Sequence, residues 1–323
     1  MTAEFRPSRI LLTGASGFVG THLGIALDAA GVDVRRATRS SDRASQRGWV
    51  RVDLDEPVTL PPAMEGCDAA VYLVHGMAAG ARGYEEAEAR AAAAFRDAAA
   101  AAGVGRIVYL GGVAPAGAPS RHLRSRLATG ELLRSGPVPA VELRAAMIIG
   151  LGSASWQVVR DLAARLPGMI LPKWLRNLSS PVFVEDVVEA LLAALVLGTD
   201  RAGWYDLPGE RTISHRDLLR MVASWFGHRP IMIDVPVLSP RLSSYWIGLV
   251  TSADLGLAAE LVEGLITDLV PTGVSFWDLM PGVRPTPLED AVNLALEDER
   301  AVRRPSARMT ERLAEIGRAW AER

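Results

Sequence analysis

Short apolar runs alternate with longer, mixed segments along the first half of the chain. Strands are predicted at Arg9–Thr13, Asp33–Ala37, Trp49–Val52, Ala69–Val74, Arg106–Leu110 and Val141–Ala146. Residues 69–74 are apolar almost throughout, which indicates a central strand covered on both faces. Strands that alternate with helical segments are typical of a parallel sheet with right-handed crossovers. The pattern therefore predicts an α/β fold with a doubly wound parallel sheet in residues 1–150.

An alanine-rich stretch, Glu85–Ala102, lies between the fourth and fifth predicted strands and is followed by Gly103. Its high helix propensity and the glycine stop predict a helix. Small side chains permit close packing on the sheet or on the same helix of a second subunit. We favour packing within the chain and keep a homodimer as the alternative.

The alternation fades after the sixth strand, where proline and tryptophan become frequent and predict loops and short helices. Residues 151–323 are expected to form a smaller substrate-binding or lid region, with some elements returning to the sheet. Two further strands are predicted there, Gly203–Leu207 and Ile231–Val235. Thr286 is predicted to cap a helix near the end of the chain.

Composition and charge restrict the class of partner. The 323 residues are 49% hydrophobic, which is ample material for a large core. A formal net charge of −2 is too small to recruit nucleic acid or an anionic membrane. The apolar runs Val187–Gly198 and Tyr245–Val250 fall short of the ~20 residues needed to span a bilayer. We expect a small-molecule partner, with neither nucleic acid nor a membrane.

The single cysteine, Cys67, excludes an intramolecular disulfide and a cysteine-based metal site. No histidine has a partner at metal-ligand spacing, so no metal is expected. The start of the chain carries Glu4, Arg6 and Pro7 and passes directly into a strand, unlike a secretory signal. A reducing, cytoplasmic location fits these features.

The most specific motif directly follows the first predicted strand. It reads Thr13-Gly14-Ala15-Ser16-Gly17-Phe18-Val19-Gly20. Gly14 suits a tight turn, Gly17 lets the backbone approach a pyrophosphate, and Gly20 lets a helix pack against the strand. A strand before the glycines and a helical pattern after them form the context of a dinucleotide-binding loop. The residues expected to bind the dinucleotide are Thr13, Gly14, Ser16, Gly17, Phe18, Val19 and Gly20.

The glycine spacing is that of the short-chain dehydrogenase/reductase superfamily, and the similarity extends over residues 9 to about 225. Its further segments are Val71–Met77, Arg106–Gly112, His122–Arg126, Glu142–Gly150 and Pro181–Val187. The chain resembles an atypical, extended member of the NmrA-like NAD(P)H-binding kind. The resemblance implies a Rossmann-type fold and places Asp53 and Leu54 beside the adenine ring. An Asp in a turn also caps local backbone amides, and both roles stay open for Asp53.

The end of the second strand indicates which cofactor is bound. An NAD-specific site usually presents a carboxylate to the adenosine ribose here, but none occurs before Asp42. Arg39 can instead form charge-assisted bonds to a 2′-phosphate, so NADP is expected and NAD is disfavoured. Arg36 is the second candidate, and a solvated loop cation is the alternative reading of Arg39.

Leu73, Val74 and His75 lie at the carboxyl end of the fourth predicted strand, the edge at which ligands bind in open α/β sheets. We expect these residues to line the cofactor. For His75, contact with ribose or phosphate and a plain loop position both remain open.

The catalytic residues of the resembled superfamily are missing. A typical member uses a Tyr-x-x-x-Lys pair on one helix face, where this chain has His122 and Arg126. Arg126 can anchor ribose hydroxyls, but it stays charged and does not relay a proton. His122 can exchange a proton near neutral pH and is the candidate general acid. A surface histidine without a role is the alternative.

These residues predict an NADP-dependent oxidoreductase that acts on a small, largely apolar carbonyl, enone or imine compound. The missing tyrosine and lysine favour the alternative, a non-catalytic NAD(P)H-binding regulator or redox sensor. An epimerase or isomerase would need a further acid/base that the sequence does not offer.

Overall fold

A computed structural model of the chain describes residues 5–74, 83–235, 266–300 and 307–322. Its strands are β1 (Arg9–Leu12), β2 (Asp33–Thr38), β3 (Trp49–Arg51), β4 (Ala69–Tyr72), β5 (Arg106–Gly112), β6 (Ala140–Ala145), β7 (Ile148–Ile149), β8 (Gly168–Pro172), β9 (Leu178–Ser179), β10 (Val182–Phe183), β11 (Gly203–Asp206), β12 (Ile213–Ser214) and β13 (Ile231–Val235). Seven of them form one parallel sheet in the order β11-β6-β5-β4-β1-β2-β3. The predicted α/β fold with a doubly wound parallel sheet is confirmed.

The α-helices of the described residues follow the strands in alternation over the first half. They are α1 (Phe18–Ala29), α2 (Ser41–Ala44), α3 (Leu60–Met64), α4 (Tyr84–Ala101), α5 (Arg121–Arg134), α6 (Ala154–Arg165), α7 (Val184–Val196), α8 (His215–Trp225), α9 (Leu288–Arg300) and α10 (Ala307–Glu322). Side chains of α1, α7 and α10 cover one face of the sheet, and those of α3, α4 and α5 cover the other.

The strands are apolar on both faces because each face has its own layer of helices. In β1, Ile10 and Leu12 belong to the core beneath α1 and α7, whereas Leu11 belongs to the core beneath α4. The alanine-rich helix α4 buries Ala92, Phe95 and Ala99 against the sheet. In the structure this helix packs closely within the chain, as predicted.

The predicted strand at 203–207 lies in the main sheet as β11, beside β6. The other short strands pair separately, β7 with β10, β8 with β13 and β9 with β12. Helices α6, α8 and α9 enclose a third core around the fully buried Trp156. The second half of the chain thus adds one strand to the sheet and builds a smaller layer beside it.

The C-terminal helix α10 packs directly on α1, the helix that follows the glycine loop. A Cβ at Gly317 of α10 would lie 1.9 Å from the Ala26 carbonyl oxygen of α1, so the two backbones touch. Arg312 of α10 donates to Glu185 of α7 (2.7 Å) and to Asp298 of α9 (2.9 Å). These contacts hold α1 between the sheet and the end of the chain.

Two further predictions concern single segments. The apolar run that begins at Val187 forms the buried part of α7, and the run at Tyr245 lies outside the described residues. The hydroxyl of Thr286, the predicted helix cap, donates to Asp186 Oδ1 (2.7 Å), and α9 begins at Leu288.

Within the part of the chain that the structure describes, every helix is too short or too polar to cross a membrane. The same residues contain no group of three or more His, Cys, Asp or Glu side chains that could hold a metal ion.

Candidate functional site

The order of the strands reverses at β1. The chain runs from β1 outward to β2 and β3, and then continues on the other side of β1 with β4, β5 and β6. Such a reversal opens a crevice at the carboxyl ends of the two strands that flank it, here β1 and β4. The glycine loop follows β1, and Leu73 and Val74 follow β4, so the fold brings these predicted cofactor residues to one edge.

Thr13 ties the ends of the two strands together. Its buried hydroxyl donates to the Val71 carbonyl oxygen (3.0 Å) and accepts from the Leu73 amide (3.2 Å). Because the hydroxyl already donates to one strand end and accepts from the other, the Thr13 side chain stabilises the base of the crevice rather than facing a ligand.

The three glycines are required for different reasons. Gly14 has a φ of +67°, and a Cβ there would lie 2.7 Å from the Leu73 carbonyl oxygen. At Gly20 a Cβ would lie 2.2 Å from the Gly14 carbonyl oxygen, which is within the buried turn. Gly17 is exposed and extended, and its Cβ would face a milder approach of 3.1 Å to the same oxygen. Gly17 alone therefore faces outward, where a ligand can approach its backbone.

The first turn of α1 has the character of an anion site. Gly17 occupies the N-cap position, and no side chain caps the helix. Ser16 is exposed next to it, while Phe18 and Val19 are half-buried and anchor the turn. Uncapped amide groups and the positive end of the helix dipole suit a phosphate. The residues present fit the pyrophosphate of a dinucleotide.

The arginines at the end of β2 have different roles. Arg35 donates to the Ala63 carbonyl oxygen (3.2 Å), and Arg36 donates to Asp28 of α1 (2.5 Å). Arg39 is exposed beyond the end of the strand. Because Arg36 already has a carboxylate partner, Arg39 is the better placed of the two candidates for a 2′-phosphate.

Asp53 and Leu54 follow β3 at the same edge of the sheet. Asp53 Oδ1 accepts from the Asp55 amide (3.1 Å), so the local capping role is present. Leu54, Leu73 and Val74 are half-buried against the core. His75 lies outside the described residues.

Arg126 is held at the carboxyl end of β5. Its Nη2 donates to the Leu110 carbonyl oxygen (3.1 Å), and its backbone oxygen accepts from the Tyr109 hydroxyl (3.1 Å). Its Nε is buried and has no hydrogen-bond partner in the described chain. A Cβ at Gly112 would lie 3.4 Å from this nitrogen, so the absence of a side chain there leaves room for the guanidinium. Arg126 therefore brings an unused donor to the sheet edge.

His122 lies one turn before Arg126 in α5 and is half-buried. Burial and the positive charge of Arg126 lower the pKa of His122 to about 4. The imidazole is therefore neutral at pH 7, and it becomes protonated only in acid or when negative charge develops beside it.

No pattern in the sequence points to Ser179, and His215 has no partner at metal-ligand spacing. Both are buried, and Ser179 Oγ and His215 Nε2 lack hydrogen-bond partners within the described ranges. Only the pairing of β9 with β12 brings these residues close, and no sequence spacing signals it.

A pH dependence of stability follows from His215. Burial lowers its folded-state pKa to about 4, below the usual 6.5, so the folded state disfavours the protonated form. Above about pH 6.5 the imidazole is neutral in both the folded and the unfolded state, so it does not reduce stability. As the pH falls toward 4, the unfolded state binds a proton that the folded state does not, and the free energy of unfolding decreases. The predicted loss is up to about 3 kcal/mol of unfolding free energy, at about 1.4 kcal/mol per pKa unit.

Glu185 and Asp186 work in the opposite direction, because burial raises their pKa values to about 7 and about 6. The comparison of native protein with His215→Gln by urea unfolding at several pH values separates these effects. The stability difference between the two should move in favour of the variant as the pH falls. A difference that is independent of pH would contradict the prediction.

Comparison with known proteins agrees with the crevice described above. Residues 14–134 match a family model described as NAD(P)H-binding. No curated protein matches the chain significantly in sequence. The matched range begins at Gly14 of the glycine loop, includes β2 to β5 and ends with the last residue of α5.

Solved structures share the fold over almost the whole chain. Triphenylmethane reductase from Citrobacter sp., complexed with NADP(H), has a TM-score of 0.69 at 20% identity, over 89% of this chain and 99% of that chain. UDP-glucose 4-epimerase from Thermus thermophilus, in complex with NAD, has a TM-score of 0.64 at 19% identity, over 91% and 100%. UDP-glucose 4-epimerase from Thermotoga maritima, with UDP-glucose, has a TM-score of 0.66 at 15% identity, over 90% and 98%.

The strands within the matched residues 14–134 form part of a parallel sheet of the Rossmann type, the fold expected for NAD(P)H binding. The whole chain shares its fold with the reductase and the epimerases above, which confirms the predicted Rossmann-type fold. The narrower NmrA-like assignment and the preference for NADP stay predictions.

Proposed function

We propose that this protein is an NADP(H)-dependent oxidoreductase that acts on a small, largely apolar carbonyl, enone or imine compound. The substrate would bind between the dinucleotide-binding residues 1–150 and the lid region formed by residues 151–287. The observation that carries the proposal is Arg126, whose buried and unpartnered Nε lies at the carboxyl end of β5. A guanidinium that keeps a donor unused at this edge is suited to the ribose of the cofactor.

The nicotinamide supplies or accepts a hydride when the cofactor is bound. The chain then has to hold the cofactor, exclude water and manage one proton. In this proposal the amides of the glycine loop hold the pyrophosphate and Arg126 holds the ribose. His122, one turn earlier on the same helix face, handles the proton. The similarity in fold to an NADP(H)-bound reductase supports the reductive direction.

A non-catalytic regulator or redox sensor is the second candidate. The observation that favours it is the neutral state of His122 at pH 7, since a neutral imidazole is a weak acid. A sensor would bind the dinucleotide through the same loop and would need no proton donor.

Arg39→Ala should remove the preference for NADPH over NADH. The exposed guanidinium is expected to bind the 2′-phosphate, and loss of such a charged hydrogen bond costs about 1.5–3 kcal/mol, roughly ten- to a hundredfold in affinity. Fluorescence titration of the native protein and the variant with both cofactors measures the change.

Arg51→Ala is the matched control, because Arg51 is also exposed but pairs with Glu56 (2.9 Å). It should leave the preference intact. Arg36→Ala should lower stability through the loss of the Asp28 pair and should leave the preference unchanged. Equal affinities of the native protein for NADPH and NADH would exclude the role of Arg39.

The proposed function itself is tested by mass spectrometry of ligands that co-purify with the protein, followed by an NADPH-oxidation assay. A second organic molecule beside the dinucleotide, together with turnover of any ketone, enone or imine, supports the oxidoreductase. Dinucleotide alone and no oxidation above background across the panel would favour the sensor.

A further inference from the structure

Four buried side-chain atoms in the second half of the chain lack partners among the described residues, and two of them belong to residues that are almost fully buried. Ser179 in β9 is 1% exposed and His215 at the start of α8 is 4% exposed. Ser179 Oγ and His215 Nε2 have no hydrogen-bond partner among the residues described. Each unsatisfied buried polar atom costs about 1–3 kcal/mol, so two together call for an explanation.

The strand register brings Ser179 and His215 close together. Ser179 pairs with Ile213 in the antiparallel β9–β12 pair. One step further, the His215 amide donates to the Asn177 carbonyl oxygen (3.2 Å). His215 begins α8 directly after this pair, so it lies diagonally opposite Ser179, with the two backbones roughly 7–8 Å apart.

The segment beside β9 lies near the loop that leads into α5, the helix of His122 and Arg126. Asp268, beside β9, accepts from the Leu178 amide (2.7 Å). Its neighbour Thr267 is close to the loop between β5 and α5, because a Cβ at Gly117 would lie 3.7 Å from Thr267 Cγ2. The same loop leads into α5, so the segment beside β9 contacts the approach to that helix.

The charges around the pair disfavour an anion. Burial lowers the pKa of His215 to about 4, so the imidazole is neutral at pH 7, and the nearby Asp268 is an acidic group. A neutral imidazole nitrogen and a serine hydroxyl can each donate or accept one hydrogen bond. A hydroxyl group also donates and accepts, and it therefore matches both atoms without adding charge.

We propose that Ser179 and His215 form a polar subsite that binds a hydroxyl group of a neutral substrate. This inference rests on the proposed function only because it assumes that the bound compound is a substrate. The subsite would determine which substrates bind well, because it would orient the substrate through a group that is remote from the reacting atoms.

The test uses matched probes that differ by one hydroxyl. The ortho, meta and para isomers of (hydroxymethyl)benzaldehyde are compared with the corresponding tolualdehydes, by calorimetric titration of the NADPH-saturated protein. At least one hydroxymethyl isomer should bind about tenfold or more tightly than its methyl counterpart. The imidazole ¹⁵N resonance of His215 should shift with that isomer and stay unchanged with the methyl compound.

Ser179→Ala and His215→Phe should each reduce this preference while keeping the affinity for the tolualdehydes and for NADPH. Ser180→Ala is the matched control, because Ser180 already pairs with Thr212 (2.8 Å). The preference should survive in that variant.

The inference is overturned if no hydroxymethyl isomer binds more tightly than its methyl counterpart, or if the preference persists in both Ser179→Ala and His215→Phe. A hydroxyl preference without NADPH oxidation by any aldehyde would leave the subsite standing and remove the proposed function. Turnover of an aldehyde without any hydroxyl preference would overturn the subsite and leave the proposed function standing.

Discussion

His122→Ala is expected to lower turnover by roughly 10²–10⁴-fold, the usual contribution of a general acid, with little change in NADPH affinity. His122 lies on α5 one turn before Arg126, which is anchored at the end of β5. In the proposed mechanism the imidazole supplies the proton, whereas Arg126 and the glycine loop hold the dinucleotide. Steady-state kinetics on any substrate of the native protein, together with NADPH titration, measure both effects.

The pH profile provides a readout that a structural role would not change. Burial and Arg126 hold the pKa of His122 at about 4, so the protonated fraction falls as the pH rises above that value. At saturating NADPH, kcat/KM should therefore decrease by about tenfold per pH unit above the pKa of His122 in the cofactor complex. The slope should disappear in His122→Ala.

Arg126→Ala should weaken NADPH binding as well as turnover, because it removes the expected ribose donor. Arg124→Ala is the control on the same helix, since Arg124 is exposed and donates to the Pro119 carbonyl oxygen (3.1 Å). Native turnover that survives His122→Ala unchanged would remove His122 from the mechanism. The proton source would then be Ser120, Tyr245 or bound water.

Gly17→Val is expected to abolish dinucleotide binding while the protein stays folded. Gly17 is exposed at the N-cap of α1 with an extended backbone (φ −79°), a conformation that valine adopts without strain. The valine side chain would occupy the space in which the pyrophosphate meets the helix amides. Loss of two or more charged hydrogen bonds, at about 1.5–3 kcal/mol each, lowers affinity by more than about a hundredfold. NADPH titration measures the loss.

Gly20→Val provides the contrast. A Cβ there would lie 2.2 Å from the Gly14 carbonyl oxygen in the buried turn, so the turn would have to open. Loss of folding in Gly20→Val and a native far-UV spectrum in Gly17→Val would separate the packing glycine from the binding glycine. Native NADPH affinity in Gly17→Val would mean that the phosphate lies elsewhere.

Local signals in the sequence determined the dinucleotide-binding half of the protein. The apolar runs predicted all six strands of that half close to their observed bounds, because strands covered on both faces must be apolar throughout. The glycine loop was equally predictable, since a Cβ at Gly14 would lie 2.7 Å from the Leu73 carbonyl oxygen and the turn therefore excludes a side chain there. Its place between a strand and a helix was enough to predict a dinucleotide site.

Only the tertiary structure decided how distant residues share one edge of the sheet. The choice between Arg36 and Arg39 depends on Asp28 of α1, which takes Arg36 as its partner. The titration of His122 depends on its depth below the surface and on Arg126, whereas the sequence alone implied an ordinary histidine. Ser179 and His215 become neighbours through the pairing of two strands far apart in the chain. Burial and the pairing of distant strands depend on segments that lie far apart in the chain. No periodic pattern in the sequence predicts such contacts, so they are properties of the assembled fold.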